Sequence, residues 1–170
     1  GQAADLRRRY RAARTIDLTD KVVVPGLINT HRHLLCTAKG AQPDGGITLT
    51  NLERFVYPSF AALTEQDMAT YTRHYTAEMI RFGTTTFEEP GCTHLSATLE
   101  ALDASGIRCR VGPWTWDHRG FAADTLPDWL RMPTDDAVAR LEDGLSTVRK
   151  YGADRILDAV TIEGVGTCSD

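Results

Sequence analysis

No apolar run in this chain approaches the roughly 20 residues that a membrane-spanning helix requires. The richest stretch, Lys21 to Ile28, is broken by Pro25 and Gly26, so no membrane partner is expected. Cysteine is also scarce. The four present, Cys36, Cys92, Cys109 and Cys168, are widely spaced and form no CxxC pair, which argues against a disulfide scaffold and a zinc ribbon and fits a reducing cytoplasm. Positive charge is not in excess. Nineteen basic residues against twenty-three acidic ones give a net charge of -4, and the one basic cluster, Arg7 to Arg9 with Arg11 and Arg14, lies near one end. Nucleic acid is therefore not an expected partner. Gly1 to Arg14 carries no apolar stretch of secretory type, and no repeat or low-complexity segment interrupts the chain.

What is present is the balance of a globular domain: 42% hydrophobic and 25% charged residues over 170 positions, enough to build one core. Short β-branched runs alternate with longer amphipathic stretches, the pattern of βα units around a parallel sheet. Val22 to Val24 and Leu27-Ile28 read as two strands separated by the Pro25-Gly26 kink. Gln42 to Thr50 reads as a loop, and Asn51 to Phe60 as a short helix stopped near Pro58. Thr64, with Asp67 three residues on and Leu63 and Met68 as a staple, predicts a helix start. Met68, Tyr71, Tyr75, Met79 and Phe82 then form one apolar stripe, ended by Gly83.

Thr84 to Phe87 predicts the next strand, ended by Glu88-Glu89-Pro90-Gly91, and Leu95, Leu99 and Leu102 mark a second helix before Gly106. Ile107 to Val111 predicts a strand followed by the long connection Trp114 to Met132, a length that often serves function. Thr134 is expected to cap a third helix with Val138, Leu141, Leu145 and Val148 on its inner face, and Ile156 to Ile162 is the fourth strand.

His31 and His33 stand at i and i+2 directly after an apolar strand. In an extended chain both imidazoles project to the same side, where two nitrogens can share one ion. Five histidines in 170 positions produce this spacing by chance about 0.12 times, so the spacing alone decides little. Two solvated loop histidines would look the same, since two ligands do not complete the sphere of a catalytic ion.

The neighbours add more. Val22-Val23-Val24-Pro25-Gly26-Leu27-Ile28-Asn29-Thr30-His31-Arg32-His33-Leu34 resembles the first-strand signature of the amidohydrolase superfamily, in which a Pro-Gly turn leads from a small sandwich domain into the barrel. Ala77-Glu78-Met79-Ile80-Arg81-Phe82-Gly83-Thr84-Thr85-Thr86-Phe87 resembles the helix-to-second-strand signature of the branch holding cytosine-deaminase-like enzymes and triazine chlorohydrolases. The resemblance implies an α/β fold, the first half of a (β/α)8 TIM-type barrel over residues 25–170, preceded by the end of a small β-sandwich segment over residues 1–24. It also implies one divalent metal ion, zinc or iron, with His31 and His33 as its first two ligands and the rest contributed beyond Asp170. The implied chemistry is hydrolysis of a C–N bond of a nitrogen-rich small molecule by water that the ion has acidified to a pKa of about 7. Alternatives on the same fold are cyclic-amide opening and dechlorination. A non-catalytic half-barrel that self-associates or needs a complementary chain is the rival from another class.

Further residues carry two readings each. Cys36 stands where relatives place a pocket glutamine, or is a buried structural thiol. Trp114, Trp116, Asp117 and His118 follow the third strand at the expected mouth, where the rings either stack on a heterocycle or pack the loop. Glu163 aligns with a histidine of many deaminases of this branch, and is either a substrate contact or a solvated rim carboxylate. Glu88 and Glu89 are expected on one side of the second strand in structural hydrogen bonds. His74 and His94 lack strand-end placement and are expected to be structural or solvated, while Arg7 to Arg14 is expected as an exposed strand edge or turn.

Overall fold

The structure, a computed structural model, describes residues 1–35, 55–117, 132–151, 154–162 and 168–169. In chain order the elements are α1 (Ala3–Arg9), β1 (Leu27–Asn29), α2 (Tyr57–Ala61), α3 (Glu65–Arg81), β2 (Thr84–Cys92), α4 (Leu95–Ser105), β3 (Arg108–Pro113), α5 (Thr134–Tyr151) and β4 (Ile156–Asp158). The four strands form one sheet in the order β1-β2-β3-β4, and every neighbouring pair is parallel. A parallel sheet with a helix between successive strands is the α/β arrangement that the alternating pattern implied, and it fits the half-barrel implied by the resemblance. Among the described residues no helix is long and apolar enough to cross a membrane.

Register decides which side chains enter the core. Phe87 lies opposite Cys109, which lies opposite Ile156, and all three are buried. They meet Met68, Tyr75 and Met79 of α3, Leu99 and Leu102 of α4 and Val148 of α5. The residues between them in sequence, Thr86, Glu88, Arg108, Arg110 and Leu157, face the other way and line an open depression of about 230 Å³.

Helix α3 begins as its sequence dictates. The Thr64 side chain accepts from the Asp67 N–H, and the Asp67 carboxylate accepts from the Thr64 N–H at 2.9 Å, a reciprocal capping box. The Thr64 hydroxyl, which donates to the carboxylate at 2.6 Å, and then the Thr64 N–H hold the Asp67 carboxyl below the usual carboxylate range. At the far ends of α3 and α4, Gly83 (φ +88°) and Gly106 (φ +76°) take the left-handed conformation that side chains resist.

Several elements differ from expectation. Arg7 to Arg9 are helical because Ala3, Ala4 and Leu6 favour a helix, and Asp5 in the first turn pairs with Arg8; α1 buries nothing. Val22 to Val24 form no strand, and the three valines are 67–88% exposed; pairing begins only at Leu27. Pro58 is the second residue of α2 instead of a helix stop, since a proline in the first turn gives up an N–H that has no helical partner.

Phe82 leaves the α3 stripe and is 72% exposed, because the helix has already ended at Arg81. Strand β2 continues through Pro90 and Gly91 to Cys92 by a break in register between Glu89 and Cys92. Strand β3 extends past the expected Val111 to Pro113. Strand β4 stops at Asp158, though Ile162 still bridges Thr115.

Helix α5 keeps most of its expected face inward, with Val148 buried and Leu141 and Leu145 half-buried, but Val138 is 49% exposed and Ala137 and Gly144 are buried beside it. The reason is proximity, since a Cβ on Gly144 would lie 2.5 Å from Cγ of Pro113. Only small side chains let the helix come so close to β3. Thr134 is the first helical residue of α5.

Replacing the capping threonine, Thr64→Ala, should lower unfolding free energy by about 1 kcal/mol, measured by urea titration. Thr70→Ala, on the exposed face of the same helix, should leave the midpoint nearly unchanged.

Candidate metal centre

The approach to the site is set at Gly26. The Leu27 N–H donates to the Gly83 carbonyl at 2.9 Å, drawing β1 against the start of β2. A Cβ on Gly26 would lie 2.2 Å from both Cγ2 and Oγ1 of Thr85, so the glycine of the Pro-Gly turn answers a need for close approach. Beyond the three-residue strand, the chain stays beside β2 through the Arg32 N–H, which donates to the Glu88 carbonyl at 2.9 Å.

Alternation then separates the side chains. The Arg32 guanidinium lies 4.2 Å above the Tyr75 ring and 3.4 Å from Glu78, both on α3. The rings of His31 and His33 meet edge-on with centroids 4.8 Å apart, and their Nε2 atoms stand 3.1 Å from each other. An ion about 2.05 Å from each nitrogen would subtend an angle of about 100°, close to tetrahedral, so the pair fits a divalent metal such as zinc. Among the described residues no third His, Cys, Asp or Glu completes a metal cluster.

Beneath the pair lies Glu89, with no exposed surface. Its Oε2 accepts the Leu34 N–H at 2.5 Å, and its Oε1 lies 3.9 Å from Nδ1 of His33. Burial holds the Glu89 carboxyl well above the usual carboxylate range, opposed by the Leu34 N–H and the Arg32 charge. Glu88, expected on the same side, projects to the opposite face and lines the open depression. His33 is pushed down to about 4, chiefly by burial and further by His31 and Arg32. The neutral imidazole that a metal needs is thereby favoured.

Trp114 and Trp116 are 2% and 1% exposed. They meet each other nearly perpendicularly at 5.5 Å, Trp114 lies 5.5 Å from Phe60, and Trp116 lies 5.4 Å from Tyr57. Both rings are thus spent on packing and present no open stacking surface, though Trp114 approaches the His33 ring to 6.4 Å. Asp117 accepts the Ser169 N–H at 2.8 Å, tying the end of β3 to the last described residues. His94 takes φ +44° at the start of α4 and contacts the Leu63 carbonyl at 2.8 Å through Nε2, and His74 is exposed; neither joins the site. Cys36, His118 and Glu163 lie outside the described residues.

A profile of the amidohydrolase family matches residues 22–117, a span that holds the histidine pair, Glu89 and both tryptophans. The chain belongs to the amidohydrolase family. It is 38% identical over 143 residues to a 5-methylthioadenosine/S-adenosylhomocysteine deaminase of Syntrophobacter fumaroxidans, covering 84% of this chain and 32% of that protein. It is 36% identical over 101 residues to a 5'-deoxyadenosine deaminase of Methanosphaera stadtmanae, covering 59% and 24%.

Among solved structures, the atrazine chlorohydrolase of Arthrobacter aurescens TC1 complexed with zinc superposes with a TM-score of 0.67 at 23% identity, over 85% of this chain and 36% of that one. The guanine deaminase of E. coli superposes with a TM-score of 0.61 at 24% identity, over 85% and 32%. These likenesses show the fold: the sheet is the opening part of such barrels. The chain spans about a third or less of the length of these relatives.

Two outcomes test the geometry. Gly26→Ala should cost about 1–3 kcal/mol as an overpacked contact, with partial recovery in the Gly26→Ala/Thr85→Ala double variant, read by denaturant unfolding. For His33, the unfolded ring protonates near 6.5 and the folded one near 4 in metal-free protein. The unfolded state therefore binds more protons between those values, and stability falls as pH drops from about 6.5 to about 4. His33→Gln should remove that part of the slope in unfolding midpoints measured across pH.

Proposed function

We propose that this chain supplies part of the active centre of a metal-dependent hydrolase that cleaves a C–N bond of a nitrogen-rich small molecule, in the manner of a deaminase. The observation that carries the reading is the 3.1 Å approach of the His31 and His33 Nε2 atoms within a segment matched by the family profile. The names of the related deaminases support an amino-substituted, nucleoside-like substrate. A zinc-bound structural relative supports zinc as the ion. When bound, such an ion supplies Lewis acidity and a water acidified to a pKa of about 7.

This chain's own residues do the holding. His31 and His33 offer ring nitrogens from one extended segment, Arg32 anchors that segment to α3, and the buried Trp114 walls one side of His33. The other donors come from protein outside the described residues. The same reading takes Cys36 as a pocket-wall position, His118 as a ring that stacks on a heterocycle and Glu163 as a hydrogen-bonding contact of a polar substrate, from their sequence positions after Leu35, Asp117 and Ile162. The exposed Val22, Val23 and Val24 support residues 1–24 as the end of a sandwich segment, with the barrel from residue 25. The free thiols of Cys92, Cys109 and Cys168 support a reducing, cytoplasmic setting.

A second reading, a half-barrel completed by another chain or a second copy, draws on Ile28 and Leu157, which leave 69% and 43% of their surface open on the sheet. In the native protein, His31→Ala and His33→Ala should each abolish zinc retention after dialysis together with deaminase turnover. Normal zinc content and kinetics in either variant would overturn the assignment.

A further inference from the structure

Two buried polar atoms at the histidine pair have no hydrogen-bond partner among the described residues: Nδ1 of His33 and Oε1 of Glu89. They face each other at 3.9 Å. The other carboxyl oxygen, Oε2, is already fixed by the Leu34 N–H, so the carboxyl cannot swing away without losing that bond. Leaving a buried donor and a buried acceptor unmet is costly, and a movement of about 1 Å brings the pair to ordinary hydrogen-bond length.

We infer that Glu89 is a positioning residue for His33: it accepts the Nδ1–H, which fixes the ring tautomer and leaves the Nε2 lone pair directed at the space shared with His31. This inference rests on the metal-centre reading above and names the group that supports one of its ligands. An imidazole that binds a metal through one nitrogen commonly donates its other N–H to a carboxylate or carbonyl, which fixes orientation and raises basicity. Glu89 is suited to that work because one carboxyl serves two points of the same segment. Oε2 holds the backbone at Leu34, and Oε1 faces the ring one residue earlier.

Glu88, its neighbour in sequence, cannot substitute, because it lies on the opposite face of the sheet. Arg32, the nearest cation, is engaged with Tyr75 and Glu78. The adjacent Trp114 ring limits the tilt of His33 from another side but offers only an N–H donor, so the carboxyl is the acceptor at hand.

The test uses the native protein and two variants. Glu89→Gln is nearly isosteric and keeps one acceptor oxygen for two donors, whereas Glu89→Leu keeps none. Nitrogen chemical shifts of the His33 ring in metal-free protein should report an Nδ1–H tautomer in the parent, with its population falling from parent to Gln to Leu. Zinc affinity, measured by competition with a chelator, should fall about 10–100-fold in Glu89→Leu and less in Glu89→Gln. Parental tautomer populations in both variants, with parental zinc affinity, would overturn the inference. If the parent itself retains no zinc, the metal-centre reading falls, and the His33 tautomer alone then decides whether Glu89 positions the ring. Circular dichroism keeps a misfolded Leu variant from counting, and the isosteric Gln variant then carries the comparison.

Discussion

Parallel pairing of β1 with β2 is the constraint on which the histidine pair depends. Only three residues of β1 sit in the ladder, so the segment that carries the histidines is held largely from outside it. The holds come from one neighbour strand and one helix: the Glu88 carbonyl takes the Arg32 N–H, the Glu89 carboxyl takes the Leu34 N–H, and the Arg32 side chain spans Tyr75. These contacts alternate along the chain. Backbone at residues 32 and 34 is tied to β2, which leaves the side chains of 31 and 33 to converge. Burying a carboxyl is costly unless its oxygens find donors, and here the first donor is the backbone that must be kept in place.

Behind the strand, the helix layer fixes where β2 runs. The capping box starts α3 at a defined residue, and the Met68, Tyr75 and Met79 stripe presses that helix on the sheet. Helix α5 comes nearest to β3 because Ala137 and Gly144 present almost no side chain there. A tightly packed layer of this kind transmits displacement instead of absorbing it. The position of two imidazoles is therefore a property of the whole half-barrel.

Much of this was readable in the residues. The α3 start, the α4 leucines and the two helix-ending glycines follow from local rules, because the causes lie within a few positions of the effect. The histidine spacing was equally visible, and Glu89 was expected to hydrogen-bond. What could not be read were choices made by distant neighbours. Val138 looks like a core residue, yet it is half exposed while the small Ala137 and Gly144 are the buried positions of α5. Val22 to Val24 look like a strand, yet no described strand lies beside them. The tryptophans had two readings from sequence, and only the positions of Tyr57 and Phe60, more than fifty residues earlier, decide for packing. The meeting of Glu89 with His33 likewise joins positions far apart in sequence, and no spacing rule could have signalled it.

Pro90 gives the edge of β2 a chemical ending. The Glu88 carbonyl points toward the β1 side, where it accepts the Arg32 N–H, and two residues on the strand carries Pro90. A proline there has no hydrogen to present. The Leu34 N–H is met by the Glu89 carboxyl instead of a β2 carbonyl, and Pro90 leaves no amide hydrogen of its own on β2 to be answered.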